Sequence, residues 1–164
     1  MNEVIIRNIK PDEIHLLKNF LYEAIFQRDE DNFLPRNVVE QPELSVYVKD
    51  WGKPDDLCVV AEVGGKIVGA AWTRILDGEV KGFGYVDSQT PEWAISLYKE
   101  YRGLGIGTLL MRELIERLKA RGYKQTSLAV QKDNYARRLY ENMGFKIAAE
   151  LQEEYLMILD LKRA

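Results

Sequence analysis

The sequence predicts a mixed α/β fold in which helices cover both faces of one sheet. Two apolar, β-branched segments, Leu57–Val63 and Lys66–Arg74, are joined by Gly64-Gly65, a dipeptide that favours a tight hairpin because both turn residues can adopt positive φ. Further along the chain, apolar segments of strand length alternate with amphipathic segments of helical length, as in β-α-β units. A hairpin combined with β-α-β units indicates a sheet with both antiparallel and parallel neighbours.

The composition is that of a globular protein with one domain. The chain has 164 residues, of which 46% are hydrophobic and 30% are charged, enough for a substantial core. The net charge of −3 disfavours binding to nucleic acid, and no apolar run reaches the length of a membrane span. The single cysteine and single histidine disfavour a protein-built zinc site. We therefore expect one cytoplasmic domain over residues 1–164, without a metal, that binds neither nucleic acid nor membrane.

The N-terminal part of the chain predicts a strand followed by helical segments. A strand is expected at residues 4–9, and Asp12 is placed to cap the helix that follows. Apolar residues recur in that helix at helical spacing, namely Ile14, Leu17, Leu21 and Ile25. The pattern breaks up over residues 27–41, and a short helix is expected around residues 43–50. This region has the character of a variable cap over the sheet.

The C-terminal part predicts alternating strands and helices after residues 77–87, a segment with three glycines that is expected to be a loop or an irregular pair of strands. Strands are expected at residues 92–98, 125–130, 145–150 and 156–161. Helices are expected at residues 108–121 and 134–143, closed by Gly122 and Gly144. The first of these helices carries an apolar stripe at Leu110, Leu114 and Leu118.

The segment Arg102-Gly103-Leu104-Gly105-Ile106-Gly107 lies between a predicted strand and a predicted helix. Glycines let the backbone approach an anion closely and adopt positive φ, and the first turn of a helix presents unpaired N–H groups. The segment therefore predicts a phosphate-binding loop, with Arg102 as an additional cation at its mouth. It lacks the lysine that ends a Walker A loop, and its glycine spacing differs from the dinucleotide-binding fingerprint.

A second motif follows at residues 134–145. Its pattern is N-x-A-x-x-x-Y-x-x-x-G-F, in which Ala136 and Tyr140 share a helix face and Asn134 is placed to cap the helix. Together with the pattern Arg-x-x-Gly-x-Gly in the loop, it resembles the two signatures of the GNAT superfamily of N-acetyltransferases. The resemblance is firm over residues 92–150, and residues 4–74 are compatible with the same fold.

The resemblance implies a mostly antiparallel central sheet of about six to seven strands with helices on both faces. It also implies acetyl-CoA as the acyl donor, with its pantetheine arm paired to the strand backbone at Leu97. Asn134 would contact either the pantetheine or the adenine-side portion of the cofactor. The pyrophosphate would contact the backbone of the loop and of the first helical turn, namely Arg102, Gly103, Leu104, Gly105, Ile106, Gly107 and Thr108.

The resemblance further implies where the catalytic groups lie. The family pattern puts Tyr140 near the sulfur as general acid, and a phenol of pKa about 10 is a suitable proton donor to a thiolate of pKa about 8.5. The candidate general base is Glu92, at the start of the strand before the loop, and the alternative for Glu92 is a solvated strand-end carboxylate. Strand alternation puts Glu92 on one face with Ala94, Ser96 and Tyr98, and Tyr98 is a second polar candidate.

The predicted function is transfer of an acetyl group from acetyl-CoA to an amine-bearing small molecule or peptide, directly and in a ternary complex. Two alternatives stay open: an acyl-CoA-binding regulatory module without catalysis, and a nucleotide-binding α/β domain. The acidic run Asp29-Glu30-Asp31 is a candidate to attract a cationic amine. The aromatic candidates for an acceptor pocket are Tyr22, Phe26, Phe33 and Trp51. A homodimer is common in that family, and the sequence neither requires nor excludes one.

Overall fold

The computed structural model describes residues 3–25 and 34–162, in which seven strands form one sheet. The strands are β1 (Val4–Asn8), β2 (Leu57–Val63), β3 (Lys66–Arg74), β4 (Glu92–Leu97), β5 (Gln125–Gln131), β6 (Lys146–Glu150) and β7 (Glu154–Asp160). The α-helices are α1 (Leu17–Ala24), α2 (Pro42–Ser45), α3 (Ile106–Ala120) and α4 (Ala136–Asn142). Short 3-10 helices lie at Pro11–Leu16, Arg36–Glu40 and Lys99–Tyr101.

The sheet is mixed and mostly antiparallel, as predicted. Its strand order is β1-β2-β3-β4-β5-β7-β6, and every neighbouring pair is antiparallel except β4 and β5, which are parallel. The predicted hairpin joins β2 to β3, with φ of 59° at Gly64 and 82° at Gly65. Both values lie in the left-handed region that glycine adopts without strain.

Hydrophobic cores lie on both faces of the sheet. On one face, which we call the α1 face, Phe20 of α1 and Trp72 of β3 are each 1% exposed. On the other, the α3 face, the predicted stripe of α3 is fully buried, because Leu110, Leu114 and Leu118 are each 0% exposed. Helices therefore cover both faces, and each strand side chain belongs to one face or the other.

The first helical segment differs from the prediction. The chain forms a 3-10 helix at Pro11–Leu16 before α1, and Asp12 is not its cap, because this helix already begins at Pro11. Proline suits the first helical position, where its fixed φ is favourable and its missing N–H is not needed. The backbone N–H of Lys10 is bound instead by the carboxylate of Glu13, at 2.9 Å.

The second helical segment is also shorter than predicted. Only Pro42–Ser45 forms α2, and the residues up to Asp50 are turns. The guanidinium of Arg74 donates to the backbone carbonyls of Val46, at 2.9 Å, and Lys49, at 2.6 Å. These carbonyls are therefore paired with a side chain from β3 rather than with later turns of a helix.

Two helix starts are shifted by two residues. Helix α3 begins at Ile106 rather than at residue 108, so Ile106 and Gly107 lie in its first turn and not in the loop. Helix α4 begins at Ala136, and the side-chain oxygen of Asn134 accepts the N–H of Ala136 at 2.9 Å. No helix of the described chain is both long enough and apolar enough to cross a membrane.

Candidate active site

The two parallel strands β4 and β5 separate almost as soon as they meet. Along their described lengths they are paired at one register position, Glu92 with Ser127. The N–H of Tyr98 donates to the carbonyl of Val68 in β3, at 3.0 Å, and hydrogen-bonded positions of an antiparallel pair recur at every second residue. The peptide groups of the odd-numbered residues, including Ile95 and Leu97, therefore face away from β3 and into the gap beside β5.

A cavity of about 310 Å³ occupies this gap and is lined from both sides of the sheet. Its lining includes the predicted catalytic residues Glu92 and Tyr140, together with Asn134. Leu21, Ala24 and Ile25 line it from the α1 face, and Leu128–Gln131 of β5 form one wall. The fold therefore brings Glu92, from the α1 face, and Tyr140, from the helix on the α3 face, to one continuous space.

The glycine loop leads directly into the N-terminus of α3. Gly103 and Gly105 have φ of 75° and 84°, and a Cβ placed on either would meet no atom within 4 Å. The first helical hydrogen bond runs from the N–H of Leu109 to the carbonyl of Gly105, at 3.3 Å. The N–H groups of Ile106, Gly107 and Thr108 precede that bond, so they have no acceptor within the helix. Such N–H groups at the start of a helix can bind an anion.

The side chains of the loop have different surroundings. That of Ile106 is 1% exposed and belongs to the core, whereas that of Leu104 is 53% exposed. The guanidinium of Arg102 donates to the carbonyl of Leu97, at 3.0 Å, and forms an ion pair with Glu23 of α1, at 3.3 Å. Arg102 thus connects the loop to β4 and α1. Because its guanidinium is already bonded, the backbone N–H groups of the loop are the main candidates to bind an anion.

Tyr140 lines the cavity from α4 and packs edge-on against Phe145, with ring centroids 6.0 Å apart. Its hydroxyl forms no hydrogen bond with any other described residue. Burial raises the pKa of Tyr140 to about 12, so the phenol is protonated over the ordinary pH range. A protonated hydroxyl without a partner in the described chain is suited to donate to a group that enters the cavity.

Glu92 is not the solvated strand-end carboxylate of the alternative interpretation, since it is 4% exposed. Its Oε2 accepts the hydroxyl proton of Tyr47 and the backbone N–H of Gly84, the latter at 3.0 Å, while its Oε1 has no partner in the described chain. Burial raises the pKa of Glu92 to about 7, although the bonds from Tyr47 and Gly84 oppose the rise. The side chain can therefore gain or lose a proton near neutral pH.

The segment 82–84 closes over Glu92 and requires glycine for steric reasons. A Cβ on Gly82 would lie 1.9 Å from Oε1 of Glu92, and a Cβ on Gly84 would lie 2.7 Å from the backbone of Leu128. The hydroxyl of Ser127 donates to the carbonyl of Gly84 at 2.6 Å, and so holds the segment against β5. The two glycines thus let the segment pack closely against Glu92, and Phe83 between them lines the cavity.

Sequence reasoning missed several residues of this site. Tyr47 lies in the turns after α2, 45 residues before Glu92, and its hydroxyl also accepts the N–H of Phe83 at 2.9 Å. Glu153 and Glu154 line the cavity at the start of β7. No local pattern marks these three residues, because each reaches the site through the pairing of distant segments.

Other predicted candidates lie elsewhere. Tyr98 packs on Phe20, with ring centroids 5.0 Å apart, and Tyr22 donates to the carbonyl of Leu34 at 2.6 Å. Trp51 lies beneath the guanidinium of Arg74. None of these three aromatic residues lines the cavity. The predictions for Phe26, Phe33 and the run Asp29-Glu30-Asp31 lie outside the described residues.

Comparisons with known proteins give a consistent result. The profile of the family described as "Acetyltransferase (GNAT) family" matches residues 21–145. An acetyltransferase of Sodalis glossinidius (strain morsitans) is 32% identical over 117 residues, which are 71% of this chain and 72% of that protein. An acetyltransferase of Pectobacterium atrosepticum is 31% identical over 137 residues, or 82% and 87% of the two chains. The crystal structure of the PaiA N-acetyltransferase of Thermoplasma acidophilum with coenzyme A has a TM-score of 0.69 at 17% identity, covering 96% and 99% of the two chains.

Proposed function

Because the chain belongs to the acetyltransferase (GNAT) family and is an acetyl-CoA-dependent acyltransferase, we propose that it acetylates a primary amine by direct transfer in a ternary complex. The observation that carries this proposal is the cavity between β4 and β5, which Glu92 and Tyr140 line together. A space lined from both faces of the sheet can hold a donor and an acceptor at once.

The α3 face has the groups that an acyl-CoA requires. The unpaired N–H groups of Ile106, Gly107 and Thr108 suit a pyrophosphate, and the positive φ of Gly103 and Gly105 brings the backbone close to it. The N–H groups of Ile95 and Leu97 suit an amide-containing arm that pairs like an added strand, while the carbonyl of Leu97 already accepts from Arg102. Acetyl-CoA, when bound there, supplies an acetyl thioester at the level of the gap.

The two side chains suit the two proton transfers of the reaction. The acceptor nitrogen forms a C–N bond to the acetyl carbon while the C–S bond breaks, so one proton must leave the nitrogen and one must reach the sulfur. Glu92, with a pKa of about 7, would take the first proton, directly or through water. Tyr140 would give the second, since its phenol is protonated.

Direct transfer is supported by the groups that line the cavity. None of its described lining residues is a cysteine, serine, threonine, lysine or histidine, the side chains that most often accept an acyl group covalently. Cys58 is 5% exposed, belongs to the core of the α1 face, and has a pKa that burial raises. It is therefore a core residue and not a candidate nucleophile.

The proposal is tested by following thiol release from acetyl-CoA in the presence of a broad panel of amines, with mass spectrometry of the products. We expect amine-dependent release and a product that is heavier by one acetyl group. Initial rates with both substrates varied should give intersecting reciprocal plots, as a ternary complex requires. Parallel plots, together with an acetylated protein, would contradict direct transfer, and absence of release with every amine would contradict the proposed function.

A further inference from the structure

The acceptor side of the cavity has an unbalanced charge. Three glutamates contribute to its lining, Glu92, Glu153 and Glu154, and its described lining residues include no lysine, arginine or histidine. A site with this lining opposes a negatively charged acceptor and favours a cationic one.

The strand register puts two of these carboxylates on the same face of the sheet. Glu92 is paired with Ser127 of β5, and Gln131, four residues further along β5, is directly opposite Glu154 of β7. Residues at even spacing along a strand share a face, so Glu92 and Glu154 both belong to the α1 face. At the rise of a strand, four residues separate the two levels by about 13 Å.

The carboxylates lack cationic partners in the described chain. Glu92 is bonded to a neutral hydroxyl and a peptide N–H, and its second oxygen is buried without a partner. The described chain has no ion pair to Glu153 or Glu154, and burial raises the pKa of Glu154. The nearby cations are engaged elsewhere, since Lys132 pairs with Glu150 at 3.0 Å and Arg137 with Glu141 at 3.6 Å. A ligand cation would supply the missing charge.

We propose that the acceptor is an elongated amine that carries a second cationic nitrogen and no carboxylate, with its distal ammonium held by Glu154 and Glu153. The proposal rests on the proposed function and specifies the substrate class of that same site. The reacting nitrogen lies at the level of Glu92 and Tyr140, and the methylene chain follows β5 toward β7. An amino acid acceptor is disfavoured because its carboxylate would lie among three glutamates, and no described residue of the lining is a lysine, arginine or histidine that could pair with it.

The test uses three acceptors with the same six-carbon chain, which are 1,6-diaminohexane, hexylamine and 6-aminohexanoate. We expect kcat/KM with acetyl-CoA to be about tenfold higher for the diamine than for the monoamine, as for one partly exposed charged contact, and lowest for the amino acid. The variant Glu154→Gln should lower the ratio of diamine to monoamine by about tenfold. The exposed Glu153→Gln should lower it less, and the control Glu116→Gln, on the surface of α3, should leave it unchanged.

Failure of this inference differs from failure of the proposed function. If 6-aminohexanoate equals or exceeds the diamine, or if Glu154→Gln leaves the ratio unchanged, the inference is wrong and the transferase activity stands. If no amine is acetylated, the proposed function fails, and calorimetric titration of the CoA-loaded protein with the same acceptors tests the cavity alone. Tighter binding of the diamine than of hexylamine, lost in Glu154→Gln, would then support the inference, and equal binding would overturn it.

Discussion

At the scale of single residues, the central pair is Glu92 and Tyr47. Burial alone would hold the carboxyl of Glu92 neutral, and the hydrogen bonds from Tyr47 and Gly84 favour its ionised form. The negative charge of Glu154 acts in the opposite direction and raises the pKa further. The resulting value of about 7 is suited to a general base, because the group is substantially ionised at neutral pH and still accepts a proton readily.

The first prediction concerns the pH dependence of Tyr47→Phe. Loss of the hydroxyl removes a bond to the ionised form of Glu92, so the pKa of Glu92 rises. The base must be ionised to accept a proton. The acidic limb of the profile of kcat/KM against pH should therefore shift to higher pH by about one pH unit, the effect expected from the loss of one charge-assisted hydrogen bond. The loss of activity should approach tenfold below about pH 6 and be nearly absent above about pH 9. The matched control is Tyr123→Phe, which also removes a bond between a tyrosine and a carboxylate, that of Asp55, outside the cavity.

The second prediction concerns Tyr140→Phe. Its hydroxyl has no hydrogen bond to another described residue, so the substitution should leave folding intact. As loss of a general acid, it should lower kcat by about 10²- to 10⁴-fold, with little change in the Kd for acetyl-CoA measured by calorimetry. Comparable losses in kcat and in acetyl-CoA affinity would instead assign Tyr140 a packing role against Phe145.

At the scale of elements, a buried ion pair holds the segment that carries Tyr47. Arg74 and Asp56 are each 3% exposed and lie 3.0 Å apart, between Nε and Oδ1. Arg74 also donates to the carbonyls of Val46 and Lys49. Trp72, also of β3, donates its indole N–H to the carbonyl of Tyr47 at 3.0 Å. Side chains of β3 therefore hold the turns after α2, and with them Tyr47.

The third prediction is that Arg74→Met destabilises the protein strongly. It leaves the charge of Asp56 buried without its partner, which costs about 3–5 kcal/mol and lowers Tm by roughly 10 °C for a chain of this length. The control Lys18→Met removes an exposed pair with Glu40, worth less than about 1 kcal/mol. The double variant Arg74→Met with Asp56→Leu should recover part of the loss, because no buried charge remains. A Tm equal to that of Lys18→Met would contradict this account.

The fourth prediction separates a phosphate-binding loop from a merely structural turn. Gly107 lies within α3, and a Cβ there would make ordinary contacts of 3.8 Å with Leu97 and 3.9 Å with Leu139. Gly107→Ala should therefore leave Tm unchanged or raise it, since alanine is favoured over glycine in a helix by about 1 kcal/mol. The added methyl group should still raise the Kd for acetyl-CoA, because it keeps the pyrophosphate from approaching the backbone closely. The loss of about one hydrogen bond corresponds to an increase of about tenfold. Unchanged affinity would favour the structural turn, and Gly78→Ala, in open space, is the control.

The elements that could be predicted from the sequence are those formed by local interactions. The Gly64-Gly65 hairpin, the apolar stripe of α3 and the glycine loop each depend on residues close together in the chain, and all three are present. The helix expected around residues 43–50 is mostly turns, because its carbonyls bond to Arg74, 25 to 28 residues away. The partners of Glu92 and the carboxylates of β7 likewise depend on strand order, which no local pattern encodes.

At the scale of the whole molecule, the sheet is nearly divided in two. Strands β1–β4 form one antiparallel part and β5–β7 another, and they meet at a single paired position. This division leaves the peptide groups of β4 open toward the cavity, and an acyl-CoA arm would bind across it. A ligand at 100 times its Kd stabilises a folded protein by about 2.7 kcal/mol, so saturating acetyl-CoA should raise Tm by about 5–11 °C.

The fifth prediction is an alternation of amide hydrogen exchange along β4. The amides of Ala94 and Ser96 face β3 and should be protected in the free protein, whereas those of Ile95 and Leu97 face the gap and should exchange faster. Saturating acetyl-CoA should slow exchange at Ile95 and Leu97 far more than at Ala94 and Ser96, which thus act as internal controls within the same strand. A rise in Tm without new protection at Leu97 would mean that the donor binds without pairing to β4. In that case Glu92 and Tyr140 would have to act on a thioester held by the loop alone, and direct transfer at the level of the gap would lose its structural basis.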